Sequence, residues 1–166
     1  MMDDLTGQIY NAAREGDVAE LERLKSGIPA LSDKNTHPNF CDIVDACPID
    51  SIRWLLDNGA DPNMKTDDGF PPLHCAIDRD TPDRAEVLKL LLDNGADVNQ
   101  RGFNDWTPLH RAAVVRPTQE IMALLMDRGA DRDARTGIDH HATPAEEAVH
   151  LGHQLSAIFI NDYRPG

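Results

Sequence analysis

Apolar residues recur along the chain in triplets whose spacing is that of one face of an α-helix. Each triplet follows an i, i+3, i+4 pattern, which places its three side chains on one side of the helix. A glycine stands three residues after each triplet, and glycine readily adopts the left-handed backbone that ends a helix. The pattern therefore predicts three short amphipathic helices, each ended by a glycine: Ile52/Leu55/Leu56 before Gly59, Leu88/Leu91/Leu92 before Gly95, and Met122/Leu125/Met126 before Gly129.

The same glycines mark an internal repeat. Residues 57–63 read DNGADPN, and the string recurs at 93–99 as DNGADVN and more loosely at 127–131 as DRGAD. A second shared element comes earlier in each unit, where residues 107–113 read TPLHRAA and residues 71–77 read PPLHCAI. A threonine or proline followed by proline starts a helix well, because a hydroxyl can cap the helix and proline is tolerated at its first position. One unit is therefore a turn, two short helices and another turn.

These segments resemble ankyrin repeats, whose sequence signature is Thr-Pro-Leu-His-x-Ala at a period of about 33 residues. The resemblance extends over almost the whole chain and implies an all-α solenoid of paired helices with short β-hairpin or turn fingers. It divides a single domain into about five units, approximately 5–35, 36–66, 67–102, 103–136 and 137–166. The first and last units are degenerate, which agrees with the polar outer face that an end repeat is expected to present to water.

The net charge of −13 narrows the choice of partner. Nucleic-acid binders need a basic stripe, so this acidity argues against a nucleic acid partner. It argues equally against docking on an anionic membrane surface. Two interpretations of the charge stay open, namely solubility and attraction to a basic protein.

The termini and the cysteines indicate a cellular compartment. The N-terminal residues, MMDD, form neither a basic leader nor an apolar stretch, so no signal peptide is predicted. Cys41, Cys47 and Cys75 are odd in number and irregularly spaced, which favours thiols in a reducing cytosol over a disulfide framework. We therefore expect a cytoplasmic protein that is monomeric before it meets its partner.

The histidines are the main candidates for catalytic bases or metal ligands in this sequence. His74 and His110 stand in the repeat motif, where we expect each imidazole to bond with threonine and backbone groups rather than act as a base. Four more histidines gather near the C-terminus: His140, His141, His150 and His153. Zinc needs three or four ligands at suitable spacing, and the cysteines fall in other units, so no metal site is predicted. The sequence shows no cofactor-binding or catalytic motif, and we expect no enzyme and no cofactor.

The resemblance also implies a binding surface, the concave face built from the hairpin tips and the first helices. Phe70 and Trp106 occupy the same place in successive units, and Phe103 lies on the second of these tips. Aromatic anchors dominate interface energetics, so we expect the three to lie close together as a hot spot. The alternative for Trp106 is packing within its own hairpin. The predicted partner-binding residues are Met64, Lys65, Asp67, Asp68, Phe70, Arg101, Phe103, Asp105, Trp106 and Arg111.

The sequence thus favours a non-enzymatic module that binds a protein partner. Two narrower versions stay open, a general adaptor and an immunity or antitoxin-type inhibitor that masks a basic toxin domain. A metal-dependent enzyme is the weakest alternative. The turn between the helices of the third unit is longer than in its neighbours, around residues 79–82. A surface loop absorbs such an insertion cheaply, and this turn is a further candidate contact.

Overall fold

The computed structural model of the protein describes residues 2–27, 39–138 and 140–166. These residues form ten α-helices in five consecutive pairs and contain no β-strand. The helices are α1 (Met2–Glu15), α2 (Val18–Leu24), α3 (Phe40–Ala46), α4 (Ile49–Asp57), α5 (Pro72–Asp78), α6 (Arg84–Asp93), α7 (Pro108–Val114), α8 (Gln119–Asp127), α9 (Pro144–His150) and α10 (Gln154–Asp162). The predicted all-α solenoid is confirmed. The predicted unit boundary between residues 35 and 36 lies outside the described residues.

The helix pairs stack side by side in two rows. Along one row α1 contacts α3, α3 contacts α5, α5 contacts α7, and α7 contacts α9. Along the other row α2, α4, α6, α8 and α10 follow one another in the same way. All of these contacts join neighbouring pairs, which is the arrangement of a solenoid.

The helices begin and end where the sequence pattern predicted. The Thr107 hydroxyl accepts a hydrogen bond from the His110 backbone N–H at the start of α7, so threonine caps this helix as expected. Gly59, Gly95 and Gly129 have φ values of +99°, +91° and +90°. Because L-residues with a Cβ rarely adopt this left-handed backbone, glycine at these positions ends α4, α6 and α8.

The core between the rows is built from aliphatic residues and alanine. Ile52, Leu88 and Leu125 from the predicted triplets are fully buried. Small residues on the first helix of a pair let the neighbouring pairs approach closely. The fully buried alanines on these helices are Ala13, Ala76, Ala113 and Ala148. Trp54 is also buried, and its indole N–H donates to the Glu22 carboxylate over 2.9 Å, which joins the first and second pairs.

The longer turn of the third pair is built around a buried arginine. Arg79 is 3% exposed, and its guanidinium donates to the backbone carbonyls of Val44 (2.9 Å) and Asp45 (3.2 Å) near the end of α3. Its other nitrogens pair with both carboxylate oxygens of Asp83, each at 2.9 Å. The side chain therefore satisfies carbonyls that the helix end leaves without an intrahelical partner. This turn was a candidate contact for a partner. Asp80 and Thr81 are exposed, whereas Arg79 is buried and bonded within the fold.

The last helix pair does not present the polar outer face that the sequence analysis expected. Leu155 is 81% exposed and Ile158 is 56% exposed, both on α10. Ala157 and Ile160 of the same helix are buried against the preceding pair. Helix α10 is therefore apolar on both sides, and the expectation of a polar cap is wrong at this end of the solenoid.

Candidate protein-binding surface

In the part of the chain that the structure describes, three fingers connect successive helix pairs: the first is residues 58–71, the second residues 94–107, and the third residues 128–138 and 140–143. Each finger is closed by a backbone hydrogen bond across its tip. The closing bonds run from Thr66 N–H to Phe70 C=O (3.0 Å), from Gly102 N–H to Trp106 C=O (2.9 Å) and from Thr136 N–H to Ala142 C=O (3.1 Å). These bonds are the paired part of the predicted hairpins, and the described residues carry them without forming a strand. The fingers therefore hold fixed positions for the side chains at their tips.

Two asparagines, one at the base of the first finger and one at the base of the second, each form hydrogen bonds to the finger that follows. Asn63 donates from its amide to the Gly95 carbonyl (2.9 Å) and accepts from the Asp97 backbone N–H (2.7 Å). Asn99 repeats both bonds one unit later, with the Gly129 carbonyl (3.1 Å) and the Asp131 N–H (2.8 Å). An amide side chain supplies a donor and an acceptor at once, so one residue fixes the spacing between two fingers.

His110 has the structural role that the sequence analysis predicted. Its Nε2 lies 3.0 Å from the Ala142 carbonyl in the next finger, and its Nδ1 lies 2.8 Å from the Thr107 hydroxyl. The Thr107 backbone N–H also donates to Nδ1, over 3.2 Å. Burial lowers the pKa of His110, because an apolar environment disfavours the charged imidazolium. The ring is a neutral link between two units.

His74 occupies the same place in the third pair, but only one of its two ring nitrogens has a hydrogen-bond partner in the part of the chain that the structure describes. Its Nε2 lies 3.2 Å from the Gln100 carbonyl, while its Nδ1 finds no hydrogen-bond partner among the described residues. Pro71 stands where Thr107 stands one unit later, and proline offers neither a hydroxyl nor a backbone N–H. Burial lowers the pKa of His74 to about 3, so the fully buried ring is neutral at physiological pH.

Replacement of Pro71 by threonine is expected to raise the free energy of unfolding by about 1 kcal/mol. The threonine hydroxyl would cap α5 and would also give the buried Nδ1 of His74 a hydrogen-bond donor. Pro71 has φ −74° and ψ 153°, and Thr107 has φ −78° and ψ 165°, so threonine fits the existing backbone. Urea unfolding measures the change. The mirror variant Thr107→Val removes the hydroxyl from the fourth pair and should lower stability. If Pro71→Thr is neutral or destabilising, the unpaired nitrogen of His74 is not the defect that we assign.

The aromatic residues of two fingers meet on the face formed by the first helices. The rings of Phe70 and Phe103 stack with their centroids 5.5 Å apart and their planes 12° apart. The Arg111 guanidinium lies over the Phe70 ring, 5.0 Å from its centroid, in cation–π contact. Phe103 is 52% exposed. Trp106 is half-buried and makes no ring–ring contact among the described residues, so its part in binding stays a prediction.

The first finger offers its charged residues to solvent. Lys65, Asp67 and Asp68 are exposed, and Met64 is half-buried. None of the three charged side chains has an ion-pair partner among the described residues. They can therefore pair with groups of a partner without breaking a contact of the fold.

The charged residues of the second finger are already engaged within the protein. Arg101 pairs with Asp105 over 2.7 Å and donates to the Arg135 carbonyl of the third finger over 2.9 Å. The Asp105 carboxylate also accepts from the backbone N–H of Gly137. These bonds align the second and third fingers, so Arg101 and Asp105 hold this surface in shape, and their part in binding stays a prediction.

A groove of about 410 Å³ lies beside Phe70 between the second and third helix pairs. Four carboxylates line it, from Asp42, Asp45, Asp68 and Asp78, against the single guanidinium of Arg111. Arg111 Nε donates to Asp78 over 2.7 Å, and Nη2 contacts the second oxygen of the same carboxylate. The one cation of the groove is therefore paired inside it, and the groove keeps an excess of negative charge.

Two thiols form the floor of the acidic groove. Cys41 Sγ donates to the Phe70 carbonyl over 3.3 Å. A side-chain hydrogen bond with Cys41, followed by burial, raises the pKa of the Cys75 thiol far above its ordinary range. A protonated thiol is a poor nucleophile. The Cys75 thiol therefore packs in the groove and is not activated for covalent chemistry.

Sequence reasoning missed most of this groove. Asp42 and Asp45 are three residues apart on α3, a spacing that places them on one helix face. That spacing was readable in the sequence, where Phe40 and Cys41 stand in place of the Leu-His of the repeat motif. Asp78 lies at the end of α5, and only the fold brings it opposite α3.

Comparison with known proteins agrees with the repeat geometry. The family description of ankyrin repeats, in three copies, matches residues 41–136, which is more than half of the chain and spans the second, third and fourth helix pairs. No curated protein matches the sequence. None of the described helices has the length and apolar character needed to cross a membrane. Ankyrin repeats are generally modules for protein–protein interaction and are typically non-catalytic. The chain belongs to the ankyrin-repeat family.

Proposed function

We propose that the protein binds a basic segment of a partner protein in the acidic groove, with the stacked Phe70 and Phe103 as an apolar wall beside it. The observation that carries this proposal is the charge of the groove. Asp42, Asp45 and Asp68 have no cationic partner among the described residues, because Arg111 is paired with Asp78. Carboxylates gathered in a concave surface with low-dielectric walls focus a negative potential.

An arginine side chain fits this environment best. Its planar guanidinium can pair with a carboxylate through two hydrogen bonds, and its flat face can stack on an aromatic ring. The groove volume of about 410 Å³ lies within the range typical of ligand pockets. The Arg111 guanidinium already lies over one face of Phe70, so the exposed Phe103 ring is the stacking surface left for a partner.

The overall charge of −13 supports the same partner class. Long-range attraction speeds the encounter with a basic protein and weakens as salt screens it beyond about 8 Å near physiological ionic strength. The inhibitor version of the function adds one requirement. The segment that fills the groove would belong to the active region of the partner, so that binding masks that activity.

Reversal of one groove charge tests the proposal. Asp68 is exposed on the first finger, so Asp68→Lys should leave the melting temperature unchanged while it weakens partner binding by about tenfold or more. Asp57→Lys makes the same charge change on α4, outside the groove, and is the matched control. The wild-type protein and the two variants serve as parallel baits for affinity capture with mass spectrometry. Titration calorimetry then measures the affinity for each purified partner at low and high salt.

Three results would contradict this assignment. The first is a partner that all three baits retain equally. The second is an association rate that does not change with salt. The third is a captured segment that is neutral or acidic. The inhibitor version fails separately if the partner keeps its full activity in the complex.

A further inference from the structure

The C-terminal helix pair gathers two histidines and a glutamate that the proposed binding surface does not use. His140 comes from the third finger, whereas Glu147 and His150 lie three residues apart on α9. The Nδ1 atoms of the two imidazoles lie 3.7 Å and 3.9 Å from Glu147 Oε2. The three potential ligand atoms all fall within 4.8 Å of one another.

Glu147 is an unusual residue to find in this position. Its side chain is 8% exposed, and within the described residues the two imidazoles are the only polar partners of its carboxylate. Burial of an ionised carboxylate is costly unless it is paired or coordinates a metal. The neighbouring side chains of His140 and His150 are 60% and 46% exposed, so the site is open to solvent on the histidine side.

From this geometry we infer that His140, Glu147 and His150 bind a divalent transition-metal ion, with Zn²⁺ as the best match. Imidazole nitrogen and carboxylate oxygen are ordinary zinc ligands at about 2.0–2.2 Å, so neighbouring ligands around a tetrahedral ion lie about 3.3 Å apart. Rotations of the two exposed imidazoles would bring their nitrogens nearer to Glu147 Oε2, from 3.7 and 3.9 Å, and nearer to each other, since all three ligand atoms already lie within 4.8 Å. Three protein ligands leave a fourth position for water or for a donor from another molecule.

The ion would fasten the third finger to the helix that follows it. His140 lies in the finger, and the other two ligands lie on α9. Because the metal binds the folded arrangement and not the separate ligands of the unfolded chain, its binding free energy adds to the stability of the last helix pair. The inference does not depend on the acidic groove, which lies between the second and third pairs.

Titration of the full chain with zinc sulfate tests the inference. We expect one ion per chain and a rise in melting temperature with zinc. Since loss of an outer-shell partner alone typically costs about 10–100-fold in metal affinity, loss of a ligand in His150→Ala should cost at least about tenfold. Glu147→Gln should weaken binding as well, because it removes the negative charge with little change of shape. His153→Ala is the matched control, since this imidazole lies three residues further along and outside the cluster.

Cobalt(II) provides a second readout that does not rely on stability. A site made of nitrogen and oxygen ligands gives visible absorption without the thiolate-to-metal charge-transfer band that cysteine ligands produce. That band would assign the ion to Cys41, Cys47 or Cys75 and overturn the inference. Equal affinity in wild type and His150→Ala would overturn it too, as would loss of binding in His153→Ala. Because His150 is exposed, His150→Ala keeps the test valid if Glu147→Gln does not fold.

Discussion

Replacement of Arg79 by alanine is expected to lower the free energy of unfolding by about 3 kcal/mol, because the buried Val44 carbonyl and the partly buried Asp45 carbonyl both lose their donor. The Val44 and Asp45 carbonyls lie near the end of α3 and receive hydrogen bonds from Arg79. The same side chain holds Asp83 at the start of α6. Its loss therefore loosens the second pair and the third pair together. Denaturant unfolding followed by far-ultraviolet circular dichroism measures the change.

Arg84→Ala is the matched control for this variant. Arg84 also donates to backbone carbonyls, but its bonds to the Arg116 carbonyl lie at the surface, each at 3.2 Å, and its bond to the Ile77 carbonyl is longer, at 3.4 Å. Exposed contacts of this kind contribute about 1 kcal/mol or less. Arg79→Lys should fall between the two, because a single ammonium cannot form the forked pair with Asp83 and reach both carbonyls. Equal losses in Arg79→Ala and Arg84→Ala would show that burial of Arg79 is not what stabilises the turn.

A methyl group added at Gly102 is expected to destabilise the protein by about 2–3 kcal/mol, because it overpacks a buried site. A Cβ at this position would lie 2.8 Å from two atoms of the His74 ring and 2.9 Å from Pro71 Cδ. The backbone itself would permit alanine, since φ is −115° and ψ is −152°. The penalty is therefore purely steric, and it falls on a ring that is held by the Gln100 carbonyl and cannot move away.

Gly137→Ala is the matched control in the next finger. A Cβ there would approach only the Asp105 carboxylate, at 2.9 Å from one oxygen. That carboxylate is the end of a side chain near the surface, so it can shift, and the bonds to Arg101 and Gly137 that it would weaken are solvent-accessible and contribute little. Thermal unfolding should show a large drop for Gly102→Ala and a small one for Gly137→Ala. A Gly102→Ala protein as stable as wild type would mean that His74 is not packed against this finger.

The features that could be predicted from the sequence are those that repeat within it. The glycines after each apolar triplet, the threonine–proline helix start and the structural histidines all recur at intervals of 34 or 36 residues. A residue type that recurs at the same place in several units indicates a structural role at that place. His110 was predicted to bond with threonine and backbone groups, and it does so through Thr107 and Ala142.

The features that could not be predicted are those that occur once. Arg79 has no counterpart in the neighbouring units, and its partners on α3 are more than 30 residues away. The cluster of His140, Glu147 and His150 could not be predicted either, because Glu147 stands in an ordinary helix and only the folded finger brings His140 to it. The polar end cap was expected from the rule for end repeats, which the exposed Leu155 and Ile158 do not follow.

The paired asparagine bonds make the middle of the protein extensible. Asn63 and Asn99 make the same two bonds to the next finger, so a duplicated copy of the third helix pair would meet a matching partner on both sides. The corresponding position one unit later is Asp133, whose carboxylate has no donor to offer. There Arg132 takes over and bonds to the carbonyls of Ile160 and Tyr163 at the end of α10. The array can thus lengthen by insertion of whole repeats before Asp133, while a different set of bonds holds the junction after it.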